Sequence, residues 1–205
     1  MSAFLGPIHY WLYNKIQIED KMVEAILSLN SEKNYVEALD EKTAEECGIL
    51  EKKPLEEMID ETNIHGWLQH KVNIVESRLG FSVTEILKGN PEAKKDVLAA
   101  VYALGCEVAK EKGSALQSAE EGYKRLEDML LDGMPCDHVN ELVSASSDEV
   151  VYRRRICIHD AYWSSIGGDV DNYYRIRSKF IEGFLADTAF SYSADEEGNY
   201  HIKRK

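Results

Sequence analysis

The sequence lacks the motifs and the long apolar runs by which several common classes of protein are recognised. No segment has eighteen uninterrupted apolar residues, which excludes a membrane-spanning helix. The patterns Gly-x-Gly-x-x-Gly, Gly-x-x-x-x-Gly-Lys and Gly-x-Ser-x-Gly are absent, so nucleotide binding and serine hydrolysis have no local support. The Glu-x-x-His pattern of di-iron helical bundles is also missing, which argues against a ferritin-like oxidase.

Basic residues are scarce relative to acidic ones. Lys and Arg number 24 against 37 Asp and Glu, which gives a formal net charge of −13. Such a charge repels nucleic-acid phosphates and anionic lipids, so we expect neither a nucleic-acid nor a membrane partner. The first thirty residues place charges inside an apolar pattern and lack a small-residue cleavage site, so we do not expect a signal peptide there.

Cysteine is scarce as well. The four cysteines are Cys47, Cys106, Cys136 and Cys157. Because 44% of the residues are hydrophobic, the chain can form a core without disulfide bonds, and scattered cysteines are then typical of reduced thiols. We therefore expect a cytoplasmic protein.

The apolar residues follow helical spacing over most of the chain. Long amphipathic patterns begin after Pro7, Pro54 and Pro91. The second is predicted to end at Gly80 and the third near Gly113. These patterns predict a bundle of about four to six helices.

The last third of the chain has a different pattern. Apolar and charged residues alternate from Val150 to Ile158, which predicts a strand with Cys157 and His159 on one face. Two further alternating runs flank an acidic turn at Gly198 and predict a β-hairpin. We therefore predict an α+β fold, in which a mainly helical bundle carries a small C-terminal antiparallel β-sheet.

The length favours one compact domain over residues 1–205. Within it, the change of pattern predicts a helical body over about residues 1–133 and an α/β part over about residues 134–205.

The most informative pattern is a Cys-x-His pair that occurs twice, as Cys136 with His138 and as Cys157 with His159. Thiolate and imidazole are preferred ligands of zinc and iron, and four of them complete a tetrahedral shell. We therefore predict a zinc or iron site at these four residues. Two alternatives stay open. In the first, the cysteines and histidines are ordinary buried residues; in the second, one pair supplies the nucleophile and base of a hydrolase.

A second candidate pocket combines histidine and tryptophan side chains of two predicted helices. Gly66 lies inside one of these helices, where glycine costs about 1 kcal/mol relative to alanine, so it could make room for a ligand. Such a pocket could hold a haem, an organic ligand or a metal, and the alternative is a packed helix interface. The residues of this pocket are His9, Trp11, Glu61, His65, Trp67 and His70.

The C-terminal quarter runs from a predicted strand, Tyr152 to Cys157, through a helix, Tyr173 to Phe184, to a hairpin, Phe190 to Ile202. In this order of elements, and in the cysteine at the strand end, it resembles the closing part of vinyl-reductase-like small-molecule-binding domains. The resemblance implies a ligand- or metal-binding sensory role. The last strand reads Asn-Tyr-His-Ile-Lys, without the second cysteine that this family has there.

Three functions are compatible with these patterns. The leading hypothesis is a cytosolic, sensor-like protein that binds a metal ion or a small ligand through the Cys/His residues. The second is a hydrolase-type enzyme that uses the same cysteines and histidines or a bound metal. The third is a structural helical partner protein, which would form a homodimer through the thin face of small residues between Ala99 and Gly105.

Overall fold

The computed structural model describes residues 5–112 and 115–205, and within them it contains seven α-helices and four strands. The helices are α1 (Pro7–Lys33), α2 (Leu39–Cys47), α3 (Ile64–Gly89), α4 (Lys94–Lys112), α5 (Ala119–Met129), α6 (Asp160–Ser165) and α7 (Asp171–Leu185). The strands are β1 (Asn140–Ala145), β2 (Glu149–Arg154), β3 (Phe190–Ala194) and β4 (Asn199–Arg204). The predicted α+β class is confirmed.

The strands form one antiparallel sheet in the order β1-β2-β4-β3. Val150 of β2 faces Ile202 of β4 in the register, and both side chains are fully buried. Helix α5 packs against these two central strands. The predicted hairpin is β3–β4, and Gly198 takes the positive φ that its turn requires, at 82°.

The helices pack around α1, which contacts α3, α4 and α5. Helices α4 and α7 approach each other closely, because each contributes a glycine at the crossing. A Cβ atom at Gly105 would collide with the backbone oxygen of Phe180, and one at Gly183 with the backbone oxygen of Tyr102. Part of the thin face predicted for a partner protein is therefore covered by α7 of the same chain.

The second long helix begins later and ends later than predicted. Only the single 3₁₀ turn Leu55–Glu57 follows Pro54, and α3 starts at Ile64, where the side chain of Asn63 accepts a hydrogen bond from the Gly66 amide at 3.2 Å. Gly80 does not end α3. A Cβ there would lie 3.2 Å from Ile166 Cδ1, so this glycine lets α6 pack closely.

One other predicted boundary also changes, and another cannot be compared. Strand β2 ends at Arg154, because the chain leaves the sheet there, and Cys157 and His159 therefore do not share a strand face. The predicted end of the third helix near Gly113 lies outside the described residues.

No helix among the described residues is long and apolar enough to cross a membrane.

Candidate functional site

Helix α1 carries charged residues on its buried face. Lys15 and Glu19 are spaced four residues apart, so they lie on the same side of the helix as the apolar residues that face the core. Lys15 is 5% exposed and Glu19 is 3% exposed. Buried charged side chains are rare unless they are paired, so this face of α1 marks a place where the interior is polar.

Glu76 of α3 and His159, which precedes α6, meet inside the protein. His159 Nδ1 lies 2.8 Å from Glu76 Oε1, and both side chains are fully buried. The His159 ring stacks on Tyr173 with a centroid distance of 3.7 Å. This arrangement fixes the imidazole between a carboxyl group and an aromatic face.

Burial moves the pKa values of this pair in opposite directions. Desolvation raises the pKa of Glu76 well above its usual range. It lowers the pKa of His159 to about 3, although the charge of Asp132 acts in the opposite sense. His159 is therefore a neutral imidazole at neutral pH, and Glu76 holds a proton more tightly than an exposed glutamate does.

Arg177 of α7 supplies a positive charge beside this pair. Its Nη2 donates to Asp132 Oδ2 at 2.7 Å, and its Nη1 donates to the Leu131 carbonyl oxygen at 3.3 Å. The Tyr173 hydroxyl donates to the same carbonyl at 3.2 Å. These contacts fix the segment after α5 against α7. We call Glu19, Glu76, Asp132, His159 and Arg177 the interior charged cluster.

Glu19 completes the cluster from α1. Burial raises the pKa of this carboxyl well above its usual range, and the neighbouring Glu76 raises it further. Its Oε1 has no hydrogen-bond partner among the described residues. A cavity of about 10 Å³ beside Glu19, Tyr173 and Arg177 has room for one water molecule, which is the size of group that would satisfy this oxygen.

A cleft of about 170 Å³ opens next to the interior charged cluster, and Asp132 belongs to both. We call it the Asp132 cleft. Its wall is built by α1, the end of α5 and the segment that leads into β1. It is lined by Trp11, Lys15, Glu127, Asp132, Gly133, Met134, Pro135, His138, Val139 and Asn140.

Lys15 lies on the wall of the Asp132 cleft in an unusual environment for a lysine. Its Nζ sits 3.6 Å from the centroid of the Trp11 ring, and no carboxylate of the described residues lies within 4 Å of it. Burial lowers the pKa of Lys15 to about 8, with Asp132 acting in the opposite sense. The Trp11 ring face also favours the charged amine but offers it no hydrogen-bond acceptor.

Two residues that line the cleft each have a buried oxygen acceptor without a donor in the described part of the chain. Asp132 Oδ2 accepts hydrogen bonds from Arg177 and, at 3.0 Å, from Asn140 Nδ2. In contrast, Asp132 Oδ1 and Asn140 Oδ1 are buried and have no hydrogen-bond partner among the described residues. Buried acceptors without donors are uncommon in folded proteins, and each one calls for a partner.

The four residues of the predicted metal site lie in different environments. Cys136 and His138 are exposed near the mouth of the Asp132 cleft, whereas His159 is buried in the interior charged cluster. Cys157 is exposed and its Sγ accepts a hydrogen bond from the Tyr174 hydroxyl at 2.9 Å. Across residues 5–112 and 115–205, no three His, Cys, Asp or Glu side chains are grouped so that they could hold a metal ion.

The residues of the second predicted pocket are also divided. The rings of His9 and His65 lie 5.5 Å apart, but Trp11 faces the Asp132 cleft, where its Nε1 donates to Asp128 at 2.8 Å. Glu61 precedes α3 and is therefore not one helical turn from His65.

The remaining members of that pocket have other neighbours. Trp67 packs against Tyr13, and His70 is exposed. From the sequence, Gly66 is predicted to make room for a ligand. In the structure it makes room for the Asn63 side chain that caps α3, with which a Cβ at this position would collide.

A larger groove of about 410 Å³ lies between α1 and α4, on the outer side of the small residues predicted to form a dimer contact. It is lined mainly by small and apolar side chains, including Ala25, Leu29, Ala99 and Ala103. Asp132 and Asn140, which carry unpartnered buried oxygens, line the Asp132 cleft, whereas no described residue that lines this groove has such an atom. The Asp132 cleft is therefore the better candidate for a ligand site.

Part of this site could have been predicted from the sequence, from charged residues at core positions of the helices. Lys15 and Glu19 interrupt the apolar face of α1, and Glu76 interrupts that of α3 between Val75 and Leu79. A charged residue at a core position predicts a buried polar site. Asp132 and Asn140 lie in a segment without periodicity, and no local pattern identifies them.

Comparison of the chain with protein-family models, with curated proteins and with solved structures gave no match. The resemblance of the C-terminal quarter to vinyl-reductase-like domains therefore stays a prediction.

Proposed function

We propose that the protein binds a small polar molecule in the Asp132 cleft. The observation that carries this proposal is that Asp132 and Asn140 line the cleft and that each has a buried side-chain oxygen, Oδ1, without a donor among the described residues. A ligand with N–H or O–H groups would satisfy both oxygens when the two side chains turn toward the cleft. Lys15 on the same wall would bind a carbonyl or carboxylate oxygen of the ligand.

The size of the cleft limits the ligand. Sites for drug-sized molecules usually enclose about 300–1,000 Å³, and the Asp132 cleft has about 170 Å³. We therefore propose a small metabolite, such as a hydroxy acid, an amide or a short polyol, for this cleft. The interior charged cluster would hold Asp132 in place through Arg177 while the ligand binds.

Binding can be tested with a set of small hydroxy acids, amides and polyols by ligand-observed NMR, followed by calorimetric titration of the strongest binder. Asn140→Ala removes one acceptor from the cleft, and we expect affinity to fall about tenfold, since one such hydrogen bond contributes about 1.5 kcal/mol. Asn73→Ala is the matched control, because Asn73 is exposed on α3 away from the cleft. Equal affinities for Asn140→Ala and the wild type would contradict the proposal.

Metal binding by Cys136, His138, Cys157 and His159 stays a separate proposal. Its support is the repeated Cys-x-His pattern. It requires the chain to rearrange, because His159 is fully buried beside Glu76 whereas Cys136, His138 and Cys157 are exposed.

The metal proposal has a direct test. The protein is purified anaerobically without added metal, and its zinc and iron are measured by mass spectrometry beside the double variant Cys136→Ser/Cys157→Ser. Near-stoichiometric metal that disappears in the variant would support this site. A metal-free wild type, or equal metal in both proteins, would contradict it.

A further inference from the structure

The Asp132 cleft contains an amine in a setting suited to covalent chemistry. Lys15 is 5% exposed, its aliphatic chain is buried with α1, and its Nζ faces an aromatic ring and not a carboxylate. Lysine side chains that act as nucleophiles are typically desolvated in this way, because a free amine is the reactive form. Lys110, in contrast, is exposed.

We propose that Lys15 forms an imine with the carbonyl carbon of a small aldehyde or ketone bound in the Asp132 cleft. This inference rests on the proposed ligand site and adds the chemical class of the ligand. The same cleft wall carries the carboxyl group of Asp132 and the imidazole of His138.

The reaction balances with one proton taken from water. The lone pair of the neutral Lys15 Nζ attacks the carbonyl carbon, a C–N bond forms as the C=O π bond breaks, and the nitrogen loses one proton while the oxygen gains one to give a carbinolamine. The hydroxyl group then gains a second proton, from solvent, and leaves as water, and the nitrogen retains its remaining proton in the iminium product. In total one water is released for each carbonyl compound bound.

The charges around Lys15 determine how its reactivity depends on pH. Asp132 faces it from the segment before β1, Glu127 and Asp128 from α5, and Arg177 from α7. Burial has the largest effect and lowers the pKa of Lys15 to about 8. At pH 7 this raises the share of neutral amine roughly 250-fold over an exposed lysine, and we expect a rate of imine formation at least about tenfold higher.

The test uses the full chain with acetaldehyde, pyruvate or dihydroxyacetone as the probe, in the presence of cyanoborohydride. Peptide mapping by mass spectrometry measures the rate of adduct formation at each lysine between pH 6 and pH 10. We expect Lys15 to react at least about tenfold faster than Lys110 at pH 7 with one or more probes, and its rate to level off near pH 8. Lys15→Arg, checked for folding by circular dichroism, should lose the fast adduct.

Two results would overturn the inference. One is that Lys15 reacts no faster than Lys110 with any of the three probes. The other is that the fast adduct maps to a lysine outside the cleft. The proposed ligand site is tested separately, by the loss of affinity of a non-covalent ligand in Asn140→Ala. If that loss is observed while Lys15 forms no fast adduct, the ligand site stands and only the imine proposal is contradicted.

Discussion

Replacing Glu76 with glutamine should change how the stability of the protein depends on pH. Glutamine keeps the shape of the side chain and an oxygen at hydrogen-bond distance from His159 Nδ1, but it does not titrate. The raised pKa of Glu76 means that the folded protein holds this proton above the pH at which the unfolded chain releases it. Its contribution to stability is therefore present below about pH 4.5 and is lost as the pH rises.

The size of the effect follows from the burial of the carboxyl group. Replacement of a buried ion pair by uncharged side chains of similar volume is often neutral or stabilising by about 1–4 kcal/mol, which sets the scale for one buried carboxylate. Glu76 Oε2 has no hydrogen-bond partner among the described residues, and in the variant an amide group takes its place. The buried amide without a partner lowers the stability of the variant by an amount that does not vary with pH. We therefore expect the stability of Glu76→Gln relative to wild type to increase by on the order of 2 kcal/mol between pH 4.5 and pH 8.

Urea unfolding at several pH values measures this difference directly. Glu107→Gln is the matched control, because Glu107 is exposed on α4 and its replacement should give a flat difference. Glu19 lies beside Glu76, so part of the gain would come from a lower pKa of Glu19 in the variant. A difference between Glu76→Gln and wild type that stays constant from pH 4.5 to pH 8, or that falls, would refute the reasoning.

Two further predictions concern packing and charge. Gly105→Ala should destabilise the protein by about 1–3 kcal/mol or more, because the added Cβ collides with the α7 backbone. The control Gly89→Ala should be neutral or slightly stabilising, because no atom lies within 4 Å of its added Cβ. Arg177→Met should lower the free energy of unfolding by about 3–5 kcal/mol, because it leaves Asp132 buried without its charged partner. The control Arg204→Met removes an exposed ion pair and should lower it by less than about 1 kcal/mol. Thermal or urea unfolding measures both pairs, and equal effects within either pair would contradict the structure.

The parts of the fold that depend on local signals could be predicted from the sequence. Ser118 caps α5 by accepting from the Glu121 amide at 3.2 Å, as its spacing indicates, and the hairpin turns at Gly198. The predicted start of α3 is wrong because proline at position 54 and asparagine at position 63 are both acceptable helix starts, and only packing chooses between them. Gly80 has the position of a helix end in the pattern, yet it serves a contact with α6 that lies far away in sequence.

The candidate site was predictable only in part, because it is assembled from distant segments. His159, a predicted metal ligand, lies in the interior charged cluster, where its partner is Glu76 and not a second cysteine pair. The sequence patterns place Trp11 and His138 in two different sites, whereas the structure places both on the wall of the Asp132 cleft. The convergence of α1, α3 and α7 on Asp132 depends on tertiary packing that no short pattern encodes.

The most direct test of the ligand site is a map of amide chemical shifts in ¹⁵N-labelled protein, recorded with the strongest small-molecule binder. We expect the largest changes at Lys15, Asp132 and Asn140, around the Asp132 cleft. Changes confined to the groove between α1 and α4, at residues such as Ala99 and Ala103, would contradict it.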